Sequence, residues 1–413
     1  MALDDVRPSI SGSKPSILVL IVVSSVTMAA MQIYLPSING MLTEFSATAN
    51  EFQWTLSAYL IAIAISQLIW GPLSDQFGRK PIIVLGMALF VLGTLMCVLA
   101  TTVESLMIAR VIQAAGGCTG LVLGRAMVRD IYGPAQSASM IGYLTMGVTV
   151  MPLVAPAIGG LLDPYFGWQG GFYLMLGLGF AALWASIVGL PETHFSRREA
   201  GPGEIIRSYV QLTRERLYWC YALTVGFSAF TFFAYLGGAP VVASQILSVS
   251  PAGLGGYMTF VALGYFGGNF LSGRYTQRFG MVPMILAGSG LGLFAIALVA
   301  AFTLAGALSP LTLFVPMAIL GLGNGLCVPS GFAGAVSVRP DLAGAASGLT
   351  ASLQMSLGAV AGTLVAAAFA GGLMQASAWA MLAVMALGMG LSLFFALLIR
   401  PVTARVSSIV AAE

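Results

Sequence analysis

Long apolar runs, broken only by short polar intervals, dominate the chain. Twelve of them are long enough to cross a hydrocarbon core, which takes about 20 apolar residues as a helix. They lie at roughly 17–40, 52–74, 81–101, 104–128, 138–162, 168–190, 217–243, 251–273, 281–302, 309–332, 341–368 and 374–398. The runs are continuous, and far longer than the alternating segments of about ten residues that a membrane barrel strand shows, so the pattern predicts helices. The first run is too long for the apolar core of a signal peptide and has no convincing cleavage site, so it too is read as a helix. The expected fold class is all-α integral membrane, with twelve transmembrane helices.

Composition agrees with the pattern. Hydrophobic residues make up 58% of the 413 and charged residues 8%, where a soluble domain has roughly a quarter charged. The 51 glycines suit membrane helices, whose close approach depends on small residues. Cys97, Cys118, Cys220 and Cys327 stand singly and far apart, without the pairing of a zinc or redox site. His194, the sole histidine, is in a charged loop. No metal, cofactor or nucleic-acid partner is expected, and no catalytic cluster is visible, so an enzyme is not expected.

Charge changes the picture by setting the orientation. With both termini in the cytoplasm, fifteen of the 17 basic residues fall on inside segments; the other two are Arg110 and Arg125. The inside set includes Arg79, Lys80, Arg129, Arg274, Arg278 and Arg339, while outside loops carry only acids such as Glu44, Glu51, Glu104 and Asp163. This asymmetry is the positive-inside pattern of a multi-pass protein of a plasma membrane.

The interval 191–216 packs nine charges into 26 residues. It reads as a cytoplasmic linker between an N-terminal half (1–190) and a C-terminal half (217–413), either as a surface amphipathic helix or as a solvated loop. The halves repeat. A shift of 202 positions lays GPLSDQFGRKP (71–81) on GRYTQRFGMVP (273–283), matching Gly71 with Gly273, Phe77 with Phe279, Gly78 with Gly280 and Pro81 with Pro283. Two six-helix halves of like orientation point to alternating access around a central site.

At these residues the chain resembles the major facilitator superfamily, in particular the bicyclomycin-resistance (Bcr/CflA) branch of its twelve-helix drug:proton antiporters. GPLSDQFGRK (71–80) is similar to the superfamily's loop between helices two and three. LMIARVIQAAG (106–116) is similar to the arginine motif of helix four, and MPLVAPAIGG (151–160) to the antiporter motif of helix five, with Ala155 where many relatives carry glycine. YLPSI (34–38) and MVRDIYG (127–133) are branch-like as well. The resemblance implies that Asp75 joins a cytoplasmic charge cluster that stabilises one conformer, with Arg129 as a candidate partner. Read from the residues alone, Gly71 allows a close helix contact, Gly78 a tight turn, and Arg79 and Lys80 hold the loop inside, which leaves plain topology marking as the alternative. Pro152 and Pro156, followed by Gly159 and Gly160, predict a bend and close packing in helix five, as a switch element or as a structural kink.

Arg110 is the sharpest functional candidate. It sits about 9 Å inside helix four from Glu104, at a depth where arginine costs at least about 2.5–3.5 kcal/mol, so a polar cavity or a partner is expected. Gln113 shares its face. Strong amides gather on some spans: Gln32 and Asn39 in the first, Gln67 in the second, Asn269 in the eighth, Asn324 in the tenth and Gln354 in the eleventh, with Gln375 at the outer end of the twelfth. Gln32, Pro36 and Asn39 recur at helical spacing and share one face. Tyr34, Tyr59, Tyr143 and Tyr235 are candidate aromatic walls of a mostly apolar pocket. Arg125, nearer the cytoplasm, is explained by snorkelling.

The resemblance implies an inner-membrane transporter, acting as a monomer, that exports drugs or other lipophilic small molecules in exchange for protons. One departure bears on that coupling: relatives often carry aspartate where this chain has Gln32, and glutamine does not titrate. A peripheral carboxylate such as Asp163 or Glu51 then carries the proton, or the transporter runs differently from its relatives. Transport of a narrow-specificity metabolite or sugar on the same fold is the main alternative; a membrane enzyme or sensor is remote.

Overall fold

The computed structural model describes residues 16–47, 49–194, 202–249, 251–370 and 378–410. Of Asn39, Glu51 and Pro152 only the helical backbone is described, and Gln375 lies outside the described residues. The N-terminal half comprises α1 (Ile17–Gln32), α2 (Ile38–Glu44), α3 (Ala49–Phe77), α4 (Arg79–Val98), α5 (Val103–Ile131), α6 (Pro134–Phe166) and α7 (Gln169–Gly189). After α8 (Pro202–Thr213) come α9 (Arg216–Val241), α10 (Pro251–Phe279), α11 (Met281–Leu304), α12 (Pro310–Val338), α13 (Ala343–Ala370) and α14 (Trp379–Val410). Ten of these helices are long and apolar enough to cross a membrane, and α1 is a shorter apolar helix. The protein is an all-helical, multi-pass membrane protein.

The first expected span is broken. α1 ends at Gln32, and a 3₁₀ turn over Leu35–Ser37 leads into α2. Pro36 explains the break, since it has no N–H for the carbonyl four residues back and its ring crowds that turn. Gln32 and Asn39 therefore do not share the face of one continuous helix, as the spacing had suggested. Elsewhere several helices outrun their apolar runs: α6 begins at Pro134 and α12 continues to Val338. Hydropathy marks the part of a helix in hydrocarbon, while backbone hydrogen bonding carries on into the polar edge.

α4, α7, α11 and α14 pack against helices of their own half and turn large apolar side chains outward, among them Leu92, Trp184, Phe294 and Phe394. The central helices make the joint between halves, α3 against α13 and α6 against α10 and α12. Two turns at the same end of the bundle are pseudo-equivalent. Gly78 between α3 and α4 has φ of +100°, and Gly280 between α10 and α11 has φ of +86°, a backbone region that glycine enters without a Cβ penalty.

The linker contains a helix. α8 lies under the bundle and touches α3, α9 and α13. Its Tyr209 hydroxyl donates to the carbonyl of Leu68 on α3. Pro72, inside α3, supplies no N–H four residues on from Leu68, so Tyr209 satisfies an acceptor that the helix leaves open. Burial holds the Tyr209 hydroxyl well above the usual phenol range, keeping it a donor. Tyr209→Phe is expected to cost about 1–3 kcal/mol by orphaning that carbonyl, seen as a lower midpoint of thermal unfolding for the purified protein; an unchanged midpoint removes α8 from the set of elements that brace α3.

Candidate functional site

The joint between the halves is built on two glycine crossings. On α3, Gly71 lies so close to α13 that a Cβ there would overlap the carbonyl of Gly344; on α6, a Cβ at Gly142 would meet the Gly273 amide and the Asn269 carbonyl of α10. The shift of 202 that lays Gly71 on Gly273 also lays Gly142 on Gly344, so the two crossings are one contact repeated by the pseudo-twofold. Gln67 and Asn269, matched by the same shift, lie at these crossings as well: the Gln67 carbonyl backs Gly348, and the Asn269 carbonyl backs Gly142. Neither amide lines an open wall; both are buried. Tyr143 likewise packs its ring on Gly273.

Polar contacts reinforce the joint. Ser139 donates to the carbonyl of Gly273, Ser347 of α13 to the carbonyl of Val122 on α5 at 2.8 Å, and Arg129 Nε to Ser337 Oγ of α12 at 2.8 Å. These contacts lie toward the end that carries Arg79, Lys80, Arg129, Arg274, Arg278 and Arg339, called the basic end below.

The charge cluster sits at that end. Asp75 accepts from the amides of Gly344 and Ala345 at 3.0 and 2.9 Å, capping the first turn of α13 where the helix dipole favours an anion. It pairs with Arg79 Nη1 at 2.5 Å, and Arg79 Nε reaches Asp130 Oδ2 at 2.9 Å. Arg79 and Asp75 are almost fully buried. The partner of Asp75 is thus Arg79, with Arg129 engaged across the halves instead. The three-residue spacing from Asp75 to Gly78 places Arg79 back over the last turn of α3, which is why a loop arginine and a helix-end acid meet.

Two members of this cluster escaped the sequence reading. Asp130 follows Arg129 at the end of α5 and binds Arg79. Glu192, read only as linker charge, accepts from the backbone amides of Arg79 (2.9 Å) and Lys80 (3.3 Å) and so caps α4, which has no side-chain cap of its own. A Cβ at Gly78 would strike its carboxylate. The signal for both was an acid beside a helix end facing the signature loop, which one-dimensional spacing does not show.

Arg110 is enclosed within the N-terminal half. Its Nη1 donates to the carbonyl of Ala30 on α1 at 2.7 Å and to Gln113 Oε1 at 2.8 Å. The guanidinium lies 4.0 Å from the ring centroid of Tyr59 and 4.5 Å from that of Tyr34, each a cation–π contact. Gln113 passes the network to Thr94 of α4 at 2.8 Å. The expected shared face of Arg110 and Gln113 is present; a cavity in contact with Arg110 is not, as the residue is 1% exposed. Its Nε and Nη2 have no hydrogen-bond partner among the described residues.

The remaining candidates divide. Tyr235 is in the core of the C-terminal half, its hydroxyl on Met258 Sδ at 3.3 Å, and Asn324 is held inside that half by Ser228 at 2.7 Å. Gln32 and Gln354 stay half-buried. Gly159 and Gly160 bring the unbroken α6 onto Ile33 and Pro36, at the break after α1, so their effect is close packing at that break. Among the described residues no group of histidines, cysteines and acids could hold a metal ion.

Comparison with known proteins gives the same picture. Over 346 residues the chain is 30% identical to multidrug resistance protein D of Escherichia coli (strain K12), covering 82% of this chain and 85% of that one. Over 362 residues it is 29% identical to a bicyclomycin resistance protein homolog of Haemophilus influenzae, covering 85% and 88%. Its fold matches a crystal structure of the transporter FucP in the outward conformation, with a TM-score of 0.74 at 15% identity over 92% of this chain and 97% of that one. The sequence profile described as Major Facilitator Superfamily matches residues 20–363. With that match spanning both halves and the central joint, the chain is a transporter and not an enzyme, and it belongs to the major facilitator superfamily.

Proposed function

We propose that this protein exports drugs or other lipophilic small molecules across the bacterial inner membrane, with the basic end in the cytoplasm. The observation that carries the reading is the joint itself: the halves meet toward the basic end through contacts between complete helices that can part without unfolding either half. A bundle closed at one end by breakable contacts is what alternating access requires. Positive-inside asymmetry supports the orientation. The drug-resistance names of the relatives support export, as do the helix-four and helix-five motifs.

Protons are the coupling ion that the resemblance implies. With Gln32 in helix one, either a peripheral carboxylate such as Asp163 or Glu51 carries them or the transporter runs differently from its relatives. Proton release on substrate addition, measured in proteoliposomes for wild type beside Gln32→Asp, tests this; release in the variant alone shows that the missing acid had removed coupling.

Expression in an efflux-deficient strain is expected to raise tolerance to several chemically unlike lipophilic drugs, and unchanged tolerance across a broad panel counts against export. Arg110→Ala should abolish that tolerance at normal membrane yield. It removes two hydrogen bonds and two ring contacts at the junction of α1, α3 and α5, opening the wall of the N-terminal half. Full tolerance in the variant would leave Arg110 as packing.

A further inference from the structure

Arg125 lies where the two halves meet, and snorkelling does not describe it. Its guanidinium carbon stands 3.9 Å from the ring centroid of Phe332 on α12, and it interacts electrostatically with Tyr265 on α10. No hydrogen bond or ion pair holds it among the described residues, yet its nitrogens are not among the buried atoms that lack a partner. They therefore keep solvent access. Arg125 and Tyr265 are both half-buried. Side chains of a helix lean toward its N-terminus, so the Arg125 charge is carried away from the basic end, toward the middle of the bundle.

Among the described residues no carboxylate pairs with this charge. None of the 14 acidic residues falls deep within a span; Asp75 and Asp130 are at the basic end, and Glu44, Glu104 and Asp163 near the other. Arg110, 15 residues earlier on the same helix and roughly 22 Å away along its axis, adds a second guanidinium without a carboxylate. Buried cations in such surroundings are strongly favoured by an opposite charge. The Arg125 guanidinium carries its N–H donors in a planar fork, and such a fork matches two oxygens of a carboxylate or sulfonate.

We propose that Arg125 anchors the solute site, and that the solutes are lipophilic organic anions whose carboxylate or sulfonate is received by its N–H fork beside Tyr265. This rests on the export reading and narrows its substrate class. The same charge disfavours lipophilic cations. Because an anion leaving a negative interior moves with the field, the solute's own charge assists its export.

One scaffold in three charge forms tests the proposal: pyrenebutyrate, the uncharged pyrenebutanamide and the cationic pyrenebutylammonium, with the full-length protein. Fluorescence titration in detergent is expected to give at least about tenfold tighter binding of the butyrate than of the other two. Arg125→Gln should erase that difference, and Arg125→Lys should keep most of it. In neutral-lipid proteoliposomes, an inside-negative potassium diffusion potential should speed butyrate efflux and slow that of the ammonium form. Equal binding of all forms, or tighter binding of the cation, overturns the anion assignment and leaves export standing. Anion preference that survives in Arg125→Gln overturns the role of Arg125, and no binding of any form sinks this proposal and the export reading together. If Arg125→Gln does not fold, the wild-type series and Arg125→Lys still decide.

Discussion

Asp75→Asn is expected to move the resting protein out of the conformer closed at the basic end by about 100-fold or more. The carboxylate makes two charge-assisted bonds to the first amides of α13 and an ion pair with buried Arg79. The two amide bonds exist only while α3 and α13 are together, and at about 1.5–3 kcal/mol each for a charged acceptor they are worth about 3 kcal/mol or more to the closed joint. An amide in place of the carboxylate loses the charge and retains a single acceptor. Spin labels at Phe77 and Phe279, both exposed at the basic end and matched by the 202-residue shift, would report the opening as a longer distance by electron resonance; the four native cysteines are buried. Asp130→Asn removes a partner of Arg79 within one half only, so its shift should be smaller. A distance distribution unchanged in Asp75→Asn would reduce the cluster to a marker of topology.

Gly71→Val and Gly142→Val should each bring transport to roughly background while the protein still reaches the membrane in normal amounts. At each crossing the added Cβ meets backbone of the other half, and backbone cannot swing aside as the end of a flexible side chain can. The close neighbours of both glycines belong to the opposite half, so each half keeps its own packing and only closure of the joint is lost. Gly116 provides the contrast. It faces the backbone of Gly86, Leu89 and Phe90 on α4 within one half, so Gly116→Val should lower membrane yield instead. Vesicle transport beside the yield of folded protein separates the two classes, and near-normal transport in both crossing variants would show that the joint tolerates a gap.

The sequence reading reached some residues of the site and missed others for a consistent reason. It found Gly71, Asp75 and Gly78 because a motif and a repeat both pass through them, and it paired Arg110 with Gln113 because helical spacing alone puts them together. It offered Arg129 as a candidate partner of Asp75, where the structure brings Arg79 to the carboxylate, since the two arginines are equally basic and equally inside in one dimension. Tyr235, Asn324 and Asn269 were expected on a cavity wall because polarity marks which helices hold amides; which way each amide turns depends on neighbours such as Ser228 and Gly142. Gly142 and Gly344 were in reach, as the shift that matched Gly71 with Gly273 matches them too, but a lone glycine among 51 carries no flag until its neighbour across the joint is known.

By itself, the sequence determined that this chain is a bundle of membrane helices, because a helix must satisfy its own backbone in lipid and every span had to be apolar and long. Tertiary structure alone decided the break at Pro36, the capping of α13 by Asp75 and of α4 by Glu192, the enclosure of Arg110 by Tyr34 and Tyr59, and the placing of Arg125 over Phe332. Each of these joins residues far apart in the chain. Polarity and spacing describe a helix one turn at a time, whereas a close contact between two helices depends on how both are turned and how deep each sits.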